Sequence, residues 1–293
     1  MKKKNKFLIG VFVLLAAVLL VPSMSVSKDA QSDTIILSKS NLLLLNSQVE
    51  GESTGMIIAK AKELDNALNS KRIFANKKPL YLFLNTPGGD IQSGLELIEA
   101  LKGIGRPVDT ITLFAASMGF QIAQNLDERL ILKNGVLMSH HAAGEFQGSF
   151  GGVHPSQVDG RYQLWLDRVR ELDEQTVKRT NGRQTYESYT KQYDKEMWLT
   201  GTKSVEQGYA DRIVSVRCDS SLNGTTPKTA NFLGFLVAFD LDLCPINTSP
   251  MNVHISSLSD GKMLENVELM NDIKSKFMSQ YENKEKQVSL MYR

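Results

Sequence analysis

Apolar runs alternate with amphipathic segments along the first half of the chain. Three short apolar or β-branched runs are bounded by polar residues, which predicts buried strands at residues 41–45, 80–84 and 108–113. Between and after these runs, apolar residues recur at helical spacing, which predicts helices at residues 56–68, 92–101 and 120–126. Strands that alternate with helices predict an α/β fold with parallel strands and right-handed crossovers.

The middle of the chain predicts a hairpin followed by a long helix. Residues 129–132 and 136–139 have strand character, and the tight-turn sequence Asn134-Gly135 lies between them. Residues 161–180 predict a helix whose large apolar side chains follow one face: Tyr162, Trp165, Val169 and Leu172. One more strand is predicted at residues 213–216.

The composition changes at residue 218. Polar loop sequences, an apolar run at 232–243 and a charged, helix-prone segment at 264–284 replace the earlier alternation. We therefore treat residues 218–293 as a C-terminal extension of unknown role.

The N-terminus has the layout of a secretory signal. Four lysines, Lys2, Lys3, Lys4 and Lys6, precede an uninterrupted apolar run at residues 7–21, which Pro22 and small residues follow. The run is shorter than the roughly 18 residues expected of a membrane-spanning helix. We expect residues 1–27 to be a cleaved signal peptide and the protein to be exported, as a periplasmic or secreted protein. The alternative is an uncleaved membrane anchor at 7–21.

Charge and cysteine content narrow the classes of partner and cofactor. Removing the four N-terminal lysines takes the formal net charge from +2 to −2, which gives no reason to expect nucleic acid as a partner. No Cys/His spacing typical of a zinc site is present, and we expect neither a metal nor another cofactor. Cys218 and Cys244 are the only cysteines and flank one polar loop. Export would place them in an oxidising compartment, so we expect a disulfide.

A serine stands where a predicted strand ends and a predicted helix begins. Ser117 lies in the stretch Phe114-Ala115-Ala116-Ser117-Met118-Gly119. Backbone N–H groups at a helix start lack intrahelical acceptors, and the helix dipole adds partial positive charge, so both would stabilise an anion beside the hydroxyl. Of the related Gly-x-Ser-x-Gly nucleophile elbow only the second glycine, Gly119, is present. A serine at such a position is also a common N-cap.

Two further features are expected near this serine. Pro87-Gly88-Gly89 follows the strand 80–84, at the same carboxyl edge of a parallel sheet. Glycines let a backbone approach a ligand closely, and the N–H groups of Gly89 and Met118 would together form an oxyanion hole. His140 follows the strand 136–139 and is a candidate general base, although a histidine at a strand end is often an ordinary surface residue.

The order of these motifs resembles the proteolytic subunit of Clp protease, a serine peptidase with a crotonase-like fold. The resemblance spans residues 41–216 and rests on stretches that occur in this order: Leu42 to Val49, Asn85 to Gly89, Ala115 to Gly119, Met138-Ser139-His140, the long helix that ends in Thr180-Asn181-Gly182, and Trp198-Leu199-Thr200 through Glu206 to Asp211. It implies a spiral of β-β-α units with a protruding long helix, and it makes residues 28–217 a serine peptidase domain.

The resemblance also implies roles for single residues. Ser117 would be the nucleophile, His140 the general base, and the N–H groups of Gly89 and Met118 the oxyanion donors. Glu196 aligns with the family's aspartate when the match is anchored on Trp198-Leu199. Asp194 has the family's side-chain type but needs a shifted gap. We favour Glu196 as the third catalytic residue and keep Asp194 as the alternative.

The same resemblance implies partners and leaves alternatives open. It implies a serine endopeptidase that cleaves peptides or unfolded chains, and a homo-oligomeric ring in which the long helix mediates contacts. Export makes an ATPase unfoldase partner uncertain, because such a partner needs cytoplasmic ATP. The other candidates are a catalytically silent assembly protein on the same fold, a crotonase-type acyl-CoA enzyme, and a serine–lysine signal-peptide peptidase relative, against which His140 argues.

Overall fold

The structure is a computed structural model that describes residues 33–69, 78–142, 155–232, 235–247 and 250–257. The predicted signal peptide, residues 1–27, and the predicted C-terminal helix, residues 264–284, lie outside these ranges. All described residues belong to one compact unit, Asp33–Arg293. Within the described residues, no helix is long and apolar enough to cross a membrane.

A mainly parallel sheet and the helices around it confirm the predicted α/β class. The strands of this sheet are β1 (Thr34–Leu37), β2 (Leu42–Leu45), β3 (Leu80–Thr86), β4 (Val108–Ala116), β5 (Arg129–Ser139), β6 (Met197–Thr200) and β7 (Arg212–Cys218). The helices are α1 (Gly51–Asn69), α2 (Ile91–Lys102), α3 (Met118–Asn125), α4 (Pro155–Arg179), α5 (Tyr186–Tyr193) and α6 (Gly201–Glu206).

The strand order places the ends of β3, β4 and β5 side by side. The order is β1-β7-β5-β4-β3-β2, and every neighbouring pair in it runs parallel. β6 pairs with β5 in the antiparallel direction. Because parallel strands end at one edge, the segments after β3, β4 and β5 meet there.

The predicted hairpin around Asn134-Gly135 is wrong. Both halves belong to the single strand β5, and both pair parallel with β4. The register shifts between them, since Thr112 pairs with Ile131 and Phe114 pairs with Val136, which leaves residues 132–135 as a bulge. A Cβ on Gly135 would lie 2.6 Å from the Thr112 carbonyl oxygen, so the glycine is needed for close backbone approach rather than for a turn.

Alternating side chains divide the core between the two faces of the sheet. On β3, Leu82 and Leu84 pack into the larger cluster, where they meet helix residues such as Leu97 and Phe120. Phe83 points to the opposite face and packs with Ile111, Leu130 and Val214. Helices therefore cover one face, and the second face needs a cover of its own.

Residues after β7 supply that cover. A 3₁₀ turn (Ser220–Leu222) is followed by β8 (Thr225–Phe232), β9 (Phe235–Asp242) and β10 (Met251–Ser257), which form a separate antiparallel sheet in the order β10-β9-β8. Leu222 is buried in the second cluster, and Leu243 packs against it. Cys218 and Cys244 form a disulfide with their Cα atoms 5.9 Å apart, which ties this segment to the end of β7.

Candidate active site

Ser117 occupies a sharp bend between β4 and α3. Its φ of 55° and ψ of −121° are unusual for a residue with a side chain, and such strain is typical of functional positions. The Ser117 N–H donates to the Met138 carbonyl oxygen at 3.0 Å, which fixes the bend against the end of β5. The Ser117 hydroxyl makes no N-cap hydrogen bond, so it remains available for another partner.

The Pro-Gly-Gly loop packs directly against this bend. Gly88 has a φ of +93°, and a Cβ on it would lie 2.6 Å from the Ser117 Cβ and 2.9 Å from the Met118 nitrogen. No other residue type fits that space without movement of the backbone. The loop therefore reaches the start of α3 only because glycine is present.

Among the described residues, the N–H groups of Gly89 and Met118, which lie on either side of the serine, have no hydrogen-bond acceptor. Gly89 forms a bridge with Val49, but its hydrogen bonds use the Gly88 carbonyl and the Asp90 N–H instead of the Gly89 N–H. Met118 is the first residue of α3, where an N–H group has no intrahelical acceptor. The two predicted oxyanion donors thus lie on adjoining segments at one edge of the sheet.

His140 contacts the hydroxyl of Ser117. The β4–β5 register pairs Ala116 with Met138, which brings the residues after both strands together. The His140 Nε2 lies 2.9 Å from the Ser117 Oγ, a hydrogen-bonding distance. In this arrangement the imidazole can accept the hydroxyl proton as the serine attacks a carbonyl carbon.

The two predicted acids bind other partners. Asp194 Oδ1 lies 2.8 Å from the Nε2 of His141, and the Trp198 Nε1–H donates to the Glu196 carboxylate at 3.2 Å. Among the residues that the structure describes, no carboxylate lies within hydrogen-bonding distance of the second ring nitrogen of His140. The choice between Glu196 and Asp194 therefore stays a prediction.

The strand register nevertheless favours one of them. The antiparallel β5–β6 ladder pairs Ser139 with Met197 at its last step. One step further, the ladder would bring residue 196 opposite His140, and side chains directly opposite have Cβ atoms about 5 Å apart. Glu196 has a φ of 60° and an exposed side chain.

A cavity of about 180 Å³ opens beside the Ser117–His140 pair, and it contains an acid that the sequence analysis missed. Its walls include Gly89 and Met118, and Asp173 of α4 also lines it. Asp173 is 4% exposed, and its Oδ2 accepts a hydrogen bond of 2.7 Å from the Tyr193 hydroxyl. Burial raises the pKa of the Asp173 carboxyl above its ordinary value, while the hydrogen bond from Tyr193 opposes that shift.

A signal for Asp173 was present in the sequence. It lies four residues after Val169 and one after Leu172, so helical spacing places it on the apolar stripe of the long helix. A charged residue that interrupts the apolar face of a helix is therefore the signal that distinguishes Asp173 from the other charges of α4.

Within the described residues, no group of three or more His, Cys, Asp or Glu side chains is arranged to hold a metal ion. The reactive groups that the site presents are a serine hydroxyl, an imidazole and backbone N–H donors. Together with the parallel sheet, these groups define a serine hydrolase site at a strand-to-helix bend.

Comparison with known proteins gives the family. The family model for Clp protease matches residues 27–217, and the chain belongs to this family. The proteolytic subunit of the ATP-dependent Clp protease of Streptococcus agalactiae serotype V is 29% identical over 181 residues, which are 61% of this chain and 86% of the relative. The subunit named in the same way from Streptococcus salivarius is 29% identical over 182 residues, with coverages of 61% and 87%. The protein is thus a serine-type peptidase.

Proposed function

We propose that this protein is an exported serine endopeptidase that cleaves peptides or already unfolded chains through an acyl-enzyme. Ser117 attacks the scissile carbonyl carbon, and His140 takes the hydroxyl proton and then gives it to the leaving amine. The N–H groups of Gly89 and Met118 stabilise the oxyanion, and water releases the acyl group. The 2.9 Å contact between the His140 Nε2 and the Ser117 Oγ carries this proposal.

Hydrolysis of an unstructured polypeptide is the test of this activity. Purified mature protein is expected to digest casein and a small ester substrate, and Ser117→Ala is expected to abolish both reactions. Ser220→Ala changes an exposed serine far from the site in sequence and serves as the matched control. Equal activity of Ser117→Ala and wild type would overturn the proposal.

Two features support export. The N-terminal 27 residues have the pattern of a secretory signal, and the disulfide between Cys218 and Cys244 is of a kind that persists in oxidising compartments. The relatives are named ATP-dependent, but an exported enzyme has no ATP supply, so we propose that it acts on short or unfolded substrates without an ATPase unfoldase. Sequencing of the mature N-terminus decides between cleavage near residue 27 and an intact Met1 on membrane-bound protein.

We also propose that the protein self-associates through α4, as a homo-oligomeric ring. The helix exposes large apolar side chains: Tyr162 at 42%, Leu164 at 55% and Leu166 at 37% of their surface. Exposed apolar surface of this kind marks interaction sites. Light scattering at micromolar concentration is expected to give a multiple of the monomer mass, and a monomer mass would contradict the proposal.

A further inference from the structure

The cavity beside Ser117 has both apolar and polar walls. Ile91, Met118, Val169 and Leu172 line it, and Asp173 stands among them. Val169, Leu172 and Asp173 lie at positions i, i+3 and i+4 of α4, so they face the same way. No lysine or arginine is among the described residues that line the cavity. The described lining therefore combines apolar side chains with the polar groups of Gln121, Ser139, His140 and Tyr193, and Asp173 is the one carboxyl group in it.

The carboxyl group is held in place by the fold. Tyr193 donates to Asp173 Oδ2, and Tyr193 is itself 6% exposed and packs edge-on against Tyr189 at 4.9 Å between ring centroids. The charge on Asp173 has no lysine or arginine partner among the described residues, although His141 lies close enough to favour the charged form. A buried carboxylate that is not paired with a lysine or arginine is costly, and a cation that enters the cavity would offset that cost.

The position of the cavity shows which part of a substrate would enter it. Its walls include the nucleophile Ser117 and the oxyanion donors Gly89 and Met118, between which the scissile carbonyl must lie. The side chain nearest to that carbonyl belongs to the residue on the amino side of the cleaved bond. Its stem would pack on the apolar wall, and its end would reach the acid.

We propose that Asp173 is a specificity-determining residue that selects substrates with lysine or arginine before the cleaved bond. The inference rests on the proposed role of Ser117. A cationic end group would form a charge-assisted hydrogen bond with the Asp173 carboxylate, and an acidic side chain would be repelled by it. A neutral apolar side chain would pack against the apolar wall of the cavity but would leave the Asp173 carboxylate without a cationic partner.

The test compares three peptides that differ only at this position, with Lys, Leu or Glu before a fluorogenic amide. For the wild type, kcat/KM is expected to be roughly 10- to 100-fold higher for Lys than for Leu, the scale of a hydrogen bond to a charged group, and lowest for Glu. This comparison needs no variant. A wild type that prefers Leu over Lys would overturn the inference.

Two variants then test whether Asp173 causes the preference for Lys over Leu. Asp173→Asn keeps the size of the side chain and a hydrogen-bonding oxygen for Tyr193, and it is expected to remove most of the Lys-over-Leu ratio. Glu174→Gln removes the next carboxylate along α4, which is exposed and pairs with Arg170, and it is expected to leave the ratio unchanged. An unchanged ratio in Asp173→Asn, or the same loss in both variants, would contradict the role of Asp173.

Labelling by a small fluorophosphonate without a cationic group separates the two proposals. If Ser117 is labelled but the ratios do not follow Asp173, only the specificity inference fails. If Ser117 is not labelled in the wild type, the proposed function fails and the inference fails with it.

Discussion

His140 and His141 are adjacent in the sequence, but they lie in two different regions of the molecule. His140 is half-buried and contacts Ser117, whose backbone is fixed between β4, β5 and the glycine loop. The side chains of His141 and its partner Asp194 are 64% and 58% exposed. Successive side chains of an extended segment point to opposite sides, so these two neighbours fall in different regions. We call the buried site around Ser117 and His140 the inner region, and the exposed segment that carries His141, Asp194 and Glu196 the outer region.

The difference shows that the fold fixes the positions of the nucleophile and the base more firmly than the positions of the acids. Buried strands and the closely packed Gly88 hold the nucleophile and the base in place. The acids lie on an exposed segment, where an ion pair such as His141–Asp194 contributes little free energy. The orientation of the His140 ring depends on these weakly held acids, so it is the least firmly fixed part of the site.

The largest expected effect separates the two histidines. His140→Ala should lower kcat for a small ester by roughly 10⁵- to 10⁶-fold, the scale for loss of the base in a serine protease. His141→Ala, its matched control, should leave kcat near the wild-type value, because the structure gives this side chain no contact with Ser117. Equal losses of kcat in both variants would contradict the assignment of His140 alone as the general base.

The next effect decides the third catalytic residue. Loss of the orienting acid can cost ~10⁴ in turnover in a serine protease, because the histidine then adopts the wrong tautomer. We expect Glu196→Gln to show such a loss and Asp194→Asn to retain near-full activity, as the β5–β6 register favours residue 196. The measurement is kcat for the same ester.

If Asp194→Asn loses activity and Glu196→Gln keeps it, Asp194 is the acid that orients His140. If both variants keep their activity while Ser117→Ala is inactive, the site works as a Ser–His dyad.

A smaller effect tests a region remote from both histidines in sequence. Replacing both Cys218 and Cys244 by serine should lower the free energy of unfolding by about 3–4 kcal/mol, because the bond closes a loop with a sequence separation of 26. The kcat of the folded variant should not change. Denaturant titration measures the first quantity and ester hydrolysis the second.

A reductant should lower the free energy of unfolding of the wild type by a similar amount and leave that of the double variant unchanged. Alkylation of two thiols in the native, unreduced protein would show that the bond does not form.

The smallest effect concerns the glycine loop of the inner region. Gly88→Ala should cost roughly 1–3 kcal/mol of stability, the scale of a strained backbone position, and should reduce activity because the Ser117 bend must move. Gly55→Ala is the control: it lies inside α1 with nothing within 4 Å of a new Cβ, and it should stabilise by ~0.5–1 kcal/mol. Thermal and denaturant unfolding of both variants give the comparison, and a neutral Gly88→Ala would contradict it.

The sequence predicted the inner region better than the outer one. Hydrophobic periodicity located β3, β4 and α3, and parallel topology then required that Gly89, Ser117 and His140 meet at one edge. The sequence around Gly135 predicts a hairpin instead of a bulge, because a turn and a close backbone approach both require glycine, and only the pairing with β4 distinguishes them.

The carboxyl groups could not be placed from the sequence for a different reason. Asp194 and Glu196 are two residues apart, and their partners depend on rotamers of an exposed segment. Asp173 is buried because Tyr193 of α5 packs beside it, a contact between residues 20 positions apart that periodicity does not reveal.

Site-resolved labelling by a fluorophosphonate tests the central claim most directly, because only an activated serine reacts rapidly. Mature protein would be labelled, digested and analysed by mass spectrometry, in parallel with His140→Ala and His141→Ala. The account predicts rapid modification of Ser117 in the wild type and in His141→Ala, and a large loss of rate in His140→Ala. An unlabelled Ser117, or equally fast labelling without His140, would contradict it.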